Sequence, residues 1–398
     1  MAGPANHLAF VCPRFAEGVT VGGAERLLRN LADRAACAGR RVSFLSTCAR
    51  DHFTWRNELA PGTRRVGSLE VTFFPVDEGR DVETFLRLQD AISRGRPLSR
   101  SDQESWLRNS VNSTALCEHL RTHAAEYDRI IAGPYLFGLT YFASQILPHK
   151  TLLVPCLHDE PFAYQSVLGE MFRVVAGCMF NSEPERDLAR RLHGIEPARC
   201  AVVGMGLDPF EADAEAFALR HALGAPYIVY CGRREPLKGT PLLLDYFAAF
   251  RARTGRELKL VLTGSGQFEL PPDLEGHVLD VGVVSEQEKQ QAMAGAVCFC
   301  HPSVNESFGI VILESWLART PALVHGCGEV LRWQCGRSNG GLWFRNYPEF
   351  EEELALLLDN DALCDQLATA GRAYVLREYA WDAIDRKMSD ALARLGRA

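Results

Sequence analysis

Residues 298–325 read CFCHPSVNESFGIVILESWLARTPALVH, and the architecture is most legible here. A short apolar run, 297–300, predicts a buried strand. His301, Pro302 and Ser303 break it, and a polar loop follows. Phe308 and Gly309 then open an apolar, helix-length segment that closes near Arg319, Thr320 and Pro321. A second apolar run, 321–325, predicts another strand. Strand, loop, helix, strand is the unit of an α/β fold, in which ligands bind beyond the carboxyl ends of the strands.

The chemistry of the loop follows from that placement. Backbone N–H groups at Phe308, Gly309 and Ile310 are expected to point out of the helix N-terminus, where the macrodipole is positive. Gly309 lets a phosphate approach the backbone closely. Glu306 and Glu314 bracket the helix start. Were 306–314 helical throughout, they would stand about 12 Å apart along the axis. That is too far to share a proton, but it suits two carboxylates gripping hydroxyls at opposite ends of a phosphorylated ligand. A plain capped helix, with an early Glu complementing the dipole, fits Glu306 equally well.

The run from Glu306 to Glu314 resembles the E-x7-E signature of retaining glycosyltransferases of the GT-B fold, in particular family 4. The spacing alone is weak, but here it is framed by Pro302-Ser303, Phe308-Gly309 and Thr320-Pro321. The resemblance implies that Glu306 contacts hydroxyls of the donor sugar and Glu314 the nucleotide ribose. It also implies that the amides between them hold the distal phosphate.

Composition sets the bounds. The chain has 398 residues, a prior for two or three domains. Its formal net charge of −7 implies no general affinity for nucleic acid. Residues 1–208 carry 24 Lys/Arg and 24 Asp/Glu, so the deficit lies entirely in the second half. A neutral first half fits an acceptor domain with weak peripheral contact to a membrane surface. The 13 cysteines are odd in number, lack C-x2-C pairs and often sit in apolar runs. This predicts reduced thiols in a cytoplasmic protein rather than a disulfide framework. The opening MAGPANHLAFVCP has no signal-peptide pattern. No apolar run reaches the roughly 18 residues of a spanning helix.

Working outward toward the amino end, residues 7–12 predict a first strand. Gly22 and Gly23 then open a helical pattern that runs to Ala36, and residues 42–47 predict a second strand. A glycine pair at a helix N-terminus lets backbone approach a pyrophosphate, or simply permits tight helix–sheet packing. It is not the G-x-G-x-x-G dinucleotide fingerprint. The sequence Gly22-Gly23-Ala24-Glu25 resembles the family's glycine-rich loop beside the donor diphosphate and sugar. Residues 71–76 predict a strand, and 81–93 and 104–125 predict helices. Trp55, Trp106 and Tyr127 read as packing residues. Residues 128–132 predict another strand, and a helix begins near Leu139. The apolar run from Thr151 ends in Cys156-Leu157-His158-Asp159-Glu160. A His at such a strand end sits where ligands bind; the alternative is a surface loop with Asp159 as a helix N-cap. By resemblance, His158 faces the donor sugar near the reaction centre. Residues 175–192 predict a strand and then a helix capped at Ser182. Residues 199–210 predict the last strand of the first domain.

The second half opens on a buried strand, 227–233, leading into Arg233 and Lys238 before a helix at Pro241. Arg bridges two phosphate oxygens and Lys acts as a point charge, so this outlines an anion site; two solvated loop cations are the plain alternative. The spacing GR-x4-KG resembles the family's diphosphate-binding pair, which needs no metal. No Asp-x-Asp suits a metal bridge. Residues 258–266 predict a strand ending in a Gly-Ser-Gly turn, with Gly264 lining a nucleotide crevice. Residues 277–288 predict a strand followed by a helix capped at Ser285. By resemblance, the backbone of Val283 and Val284 meets the base. The amphipathic stretch 378–395 resembles the helix that crosses back to the first domain.

The resemblance thus implies two Rossmann-like α/β/α domains facing across a cleft. Residues 1–208 with 378–398 would form the acceptor domain, and residues 209–377 the donor domain. It implies a metal-independent hexosyltransferase that needs no cofactor beyond its UDP- or GDP-sugar donor. The acceptor would be a carbohydrate, glycolipid or small molecule. A nucleotide-sugar hydrolase or epimerase, and a catalytically silent binding partner, are the other two readings of the same scaffold.

Overall fold

A computed structural model describes residues 6–17 and 22–396. Residues 18–21 of the loop after the first strand, and the first five residues of the chain, lie outside the described residues. The chain divides into two compact units, Met1–Met205 with Ile384–Ala398, and Gly206–Ala383.

The first unit is built on an eight-stranded sheet. Its strands are β1 (His7–Cys12), β2 (Arg41–Thr47), β3 (Gly62–Val66), β4 (Leu69–Phe74), β5 (Arg129–Ala132), β6 (Thr151–Leu153), β7 (Gly177–Phe180) and β8 (Cys200–Val202). The order is β3-β4-β2-β1-β5-β6-β7-β8, parallel except for the β3–β4 hairpin at one edge. The direction of winding reverses between β1 and β5. The helices are α1 (Gly23–Cys37), α2 (Val82–Ser93), α3 (Arg100–Asn109), α4 (Thr114–Thr122), α5 (Gly138–Ile146), α6 (Ser166–Val174) and α7 (Glu183–His193). β1 is buried along its whole length, as expected of a central strand covered on both faces. One face of the core packs Trp106, Tyr135, Leu139, Phe172 and Phe180 under the helices.

The second unit carries α8 (Ala214–Arg220), β9 (Tyr227–Cys231), α9 (Thr240–Thr254), β10 (Lys259–Thr263), β11 (Val278–Gly282), α10 (Glu286–Ala294), β12 (Phe299–His301), α11 (Ile310–Leu317), β13 (Ala322–His325), α12 (Glu329–Ser338), β14 (Gly341–Phe344), α13 (Tyr347–Asp359) and α14 (Asp361–Glu378). Its six strands are all parallel, in the order β11-β10-β9-β12-β13-β14. Winding reverses between β9 and β12, so the loops after these two strands flank the place where open α/β sheets bind ligands. Its core gathers Tyr230, Phe247, Phe250, Leu262, Phe344 and Phe350. The last helix, α15 (Trp381–Arg394), starts in the second unit and from Ile384 counts with the first. No helix of the described residues is long and apolar enough to cross a membrane.

Several expectations need correction. The helix predicted over 104–125 is two helices, because Ser113 caps a new start at Thr114 and accepts from the Leu116 amide. The antiparallel strand β3 was not foreseen; its residues are polar and exposed, so it lacks an apolar signature. The run from Thr151 is extended for three residues only. The strand expected over 199–210 ends at Val202. Residues 329–338, for which no element was predicted, form α12. Trp55, Trp106 and Tyr127 are buried, as read from the sequence.

Candidate functional site

In the second unit, the loops after β9 and β12 come together. Gly239 has φ 75°, and a Cβ on it would stand 2.9 Å from the Pro302 carbonyl oxygen. A side chain there would therefore push the two loops apart. Across this contact, Lys238 Nζ lies 2.7 Å from Glu306 Oε1 and donates to the Asn305 carbonyl at 3.4 Å. His301 Nε2 is 3.2 Å from the same carboxylate oxygen. Its ring is buried between Tyr230 and Phe299 at centroid distances of 5.7 and 5.4 Å. Burial works against the Glu306 charge, but Lys238 and His301 outweigh it and hold the carboxyl well below its usual range. Lys238 has three N–H donors, so these two contacts leave one for a ligand.

Glu306 lies before α11, not inside it. Gly309, at φ 76°, is the N-cap, and a Cβ there would meet Leu331 Cδ2 at 2.5 Å. The helix thus starts at Ile310, two residues later than expected, and the 12 Å axial separation does not apply. Phe308 faces inward, 4% exposed, with its ring edge-on to Tyr379 at 5.2 Å. The amides of the first turn, Ile310 and Val311 foremost, face out along the axis. Glu314 is buried in the helix, with Oε2 2.9 Å from Lys289 Nζ on α10.

Arg233 and Lys238 have different carboxylate partners. The Arg233 side chain is 54% exposed and lies 3.2 Å from Glu235. Its neighbour Arg234 is buried and braces the loop. It forms an ion pair with Asp280, donates to the Gly266 carbonyl at 2.8 Å and faces the Phe268 ring. Gly264, at φ 123°, sits so close to Gly232 that a Cβ would overlap its carbonyl oxygen at 2.0 Å. Val283 is half exposed and Val284 partly so, just past β11. Ser285 caps α10, accepting from the Glu288 amide at 3.1 Å.

In the first unit, Gly22 is the N-cap of α1 and Gly23 its first residue. A Cβ on Gly22 would strike Glu25 Oε2 at 2.5 Å. Glu25 forms a buried ion pair with Arg14 at 2.7 Å, so a side chain at Gly22 would press on that pair. His158 lies beyond β6 with Nδ1 3.4 Å from Glu160 Oε1, and Glu160 also accepts from the buried Tyr135 hydroxyl at 2.8 Å. Asp159 caps no helix; it binds Arg191 at 2.8 Å and the Tyr164 hydroxyl at 2.7 Å. The turn is clamped from below by Glu185, which is 1% exposed. Its two oxygens accept from the amides of Leu157 at 2.7 Å and Asn181 at 2.6 Å. Burial pushes its carboxyl up to about 8, against those amide donors.

The structure therefore joins Lys238 to Glu306, pairs Arg233 with Glu235, and adds His301, Lys289 and Glu185, none of which the sequence reading had placed at the site. His301 carried a usable signal, since it ends a strand before a proline, as His158 ends an apolar run. Among the described residues, no cluster of His, Cys, Asp and Glu could hold a metal ion.

Residues 211–374 match the family of glycosyl transferases group 1. The chain is 29% identical over 269 residues to D-inositol 3-phosphate glycosyltransferase of Nocardioides sp., covering 59% of this chain and 58% of that protein. It is 29% identical over 164 residues to phosphatidyl-myo-inositol mannosyltransferase of Mycobacterium leprae, covering 39% and 43%. The match thus spans less than two thirds of these relatives' length. Among solved structures, sucrose-phosphate synthase from Thermosynechococcus elongatus is similar with a TM-score of 0.71 at 17% identity, over 97% of this chain and 98% of that one. Anabaena HepE, in complex with UDP-glucose, gives 0.70 at 18% identity, over 98% and 100%. The fold is GT-B, and the stretch holding Arg233, Lys238 and Glu306 is the one that matches the group 1 glycosyl transferases.

Proposed function

We propose that the protein is a retaining glycosyltransferase that moves a sugar from a UDP- or GDP-sugar to an acceptor hydroxyl. The observation that carries this reading is the Glu306 carboxylate, shared by Lys238 and His301 at the turning point of the second sheet. That carboxylate stays ionised and fixed, ready to accept hydrogen bonds from sugar hydroxyls. The remaining Lys238 N–H, the exposed Arg233 guanidinium and the first-turn amides of α11 receive the diphosphate. In the reaction, the acceptor oxygen bonds to the anomeric carbon on the face from which the diphosphate leaves. The sugar–phosphate C–O bond breaks, and a departing phosphate oxygen takes the hydroxyl proton. Charge builds on the leaving group, where fixed cations and amides stabilise it most. No metal or further cofactor has a part in the scheme. His158 is assigned toward the donor sugar, Glu314 toward the ribose, and the backbone of Val283 and Val284 toward the base. The names of the Nocardioides relative and the HepE complex support an acceptor hydroxyl on a polyol and a uridine donor. Among the described residues the 13 cysteines form no disulfide.

Calorimetry with UDP and GDP, followed by product analysis over a panel of sugar and polyol acceptors, tests the proposal. Nucleotide binding and a product of retained anomeric configuration are expected. Free sugar released without acceptor would make the protein a hydrolase. Binding with no turnover on any acceptor would make it a silent partner.

A further inference from the structure

The first unit holds a cavity of about 510 Å³ that no step above uses, within the roughly 300–1,000 Å³ of small-molecule sites. Its walls are the end of α2 with the turn at residues 95–98, and the segment 159–166 beyond β6. We propose that it binds the acceptor, and that the acceptor is a polyhydroxylated molecule carrying a phosphate or carboxylate held by Arg96. This rests on the transferase reading.

Three observations converge. The first is charge. Asp159 has Arg191 at 2.8 Å, and Glu160 accepts from the Tyr135 hydroxyl at 2.8 Å. On either side of the turn, Arg94 pairs with Asp90 at 2.9 Å and Arg100 with Glu104 at 2.9 Å. Among the described residues the Arg96 side chain has no carboxylate and no hydrogen-bond acceptor, yet it lines the cavity. A guanidinium so placed matches a phosphate or carboxylate in a two-pronged geometry. The second is shape. Buried Gln103 ties the two walls together, donating to the Leu98 carbonyl at 3.1 Å and accepting from the Ser166 hydroxyl at 3.0 Å and the Val167 amide at 3.2 Å. The cavity is thus preformed. Tyr164, 58% exposed, offers a ring face for the C–H side of a sugar or cyclitol, while Asp159, Glu160 and Gln165 offer acceptors for its hydroxyls. The third is position. Glu160 is at once a wall of the cavity and the partner of His158, the residue assigned to the reacting sugar.

The test is calorimetry on the full chain without donor. The probes are glucose 6-phosphate, inositol 1-phosphate and glucuronate, against uncharged glucose and inositol, with UDP in parallel. At least one charged probe should bind, about tenfold or more tighter than its uncharged parent. Arg96→Gln should erase that margin and leave UDP affinity unchanged, while Tyr164→Ala should weaken charged and uncharged probes alike. Equal affinity for charged and uncharged probes, no binding of any charged probe, or an Arg96→Gln protein that still discriminates would overturn the proposal. Loss of UDP binding in the wild-type chain would instead strike the transferase reading, and the acceptor measurements would remain interpretable.

Discussion

Two strand ends in this protein present a histidine against a glutamate. After β12, His301 lies 3.2 Å from Glu306; after β6, His158 lies 3.4 Å from Glu160. Their surroundings differ. Glu306 has a lysine at 2.7 Å, and its ring partner is buried between aromatics. Glu160 has a tyrosine hydroxyl at 2.8 Å, and His158 is a quarter exposed. The first pair is a fixed charge with its counter-ion built in, suited to gripping a donor that must be held still. The second keeps an open imidazole edge, suited to a group that meets substrate. The same two residue types thus have different surroundings, because one loop brings in a cation and the other a neutral donor.

Altering the fixed charge should have the largest effect. Glu306→Gln keeps the shape but removes the anion, and transfer, measured as kcat/KM, should fall about 10²-fold or more. Nucleoside diphosphate affinity should change far less; equal activity in the variant would end the sugar-facing role. At the other strand end, His158→Ala should lower kcat by about 10²-fold with UDP affinity unmoved. A change confined to UDP affinity would reverse the contrast between the pairs. Lys238→Ala should weaken UDP binding by about tenfold or more, and Arg233→Ala, at an exposed position, by only a few-fold. The opposite ranking would mean that Arg233 swings in as the main phosphate ligand.

The smallest expected effect is on stability against pH. The Glu306 carboxyl is depressed, so its contribution is present above its unfolded value near 4.5 and is lost as pH falls below that. The Glu185 carboxyl, beneath the His158 turn, is raised to about 8. Its contribution is full below about pH 4.5 and fades as pH rises toward 8. Thermal melting between pH 5 and 8 should therefore decline in the wild type and flatten in Glu185→Gln, by a few degrees. A slope unchanged by that substitution would show that Glu185 keeps one protonation state throughout.

Much of this could be read from the chain alone. The apolar run ended by His301-Pro302 marked a strand end, because burial on both faces demands continuous apolar sequence, whereas the run into Cys156-Leu157-His158 leaves its strand already at Leu153. Ser182 and Ser285 announced helix starts, because their hydroxyls satisfy orphan amides. Glycines 22, 264 and 309 flagged close approach, although at Gly22 and Gly309 the approaching groups are side chains, Glu25 and Leu331. The exposed edge strand β3 left no signal, since a polar hairpin edge has no apolar period to show.

The sequence by itself determined most strands and helices of an α/β fold and the loops that bear chemistry, since these follow from local apolar periodicity and from backbone rules at glycine, proline and caps. Only the tertiary structure decided the pairings: Lys238 with Glu306 across 68 residues, Arg234 rather than Arg233 with Asp280, and Glu185 with the amides of Leu157 and Asn181. Ion pairs depend on where loops from separate strands meet, and a distance set by packing leaves no trace in the spacing of residues along the chain.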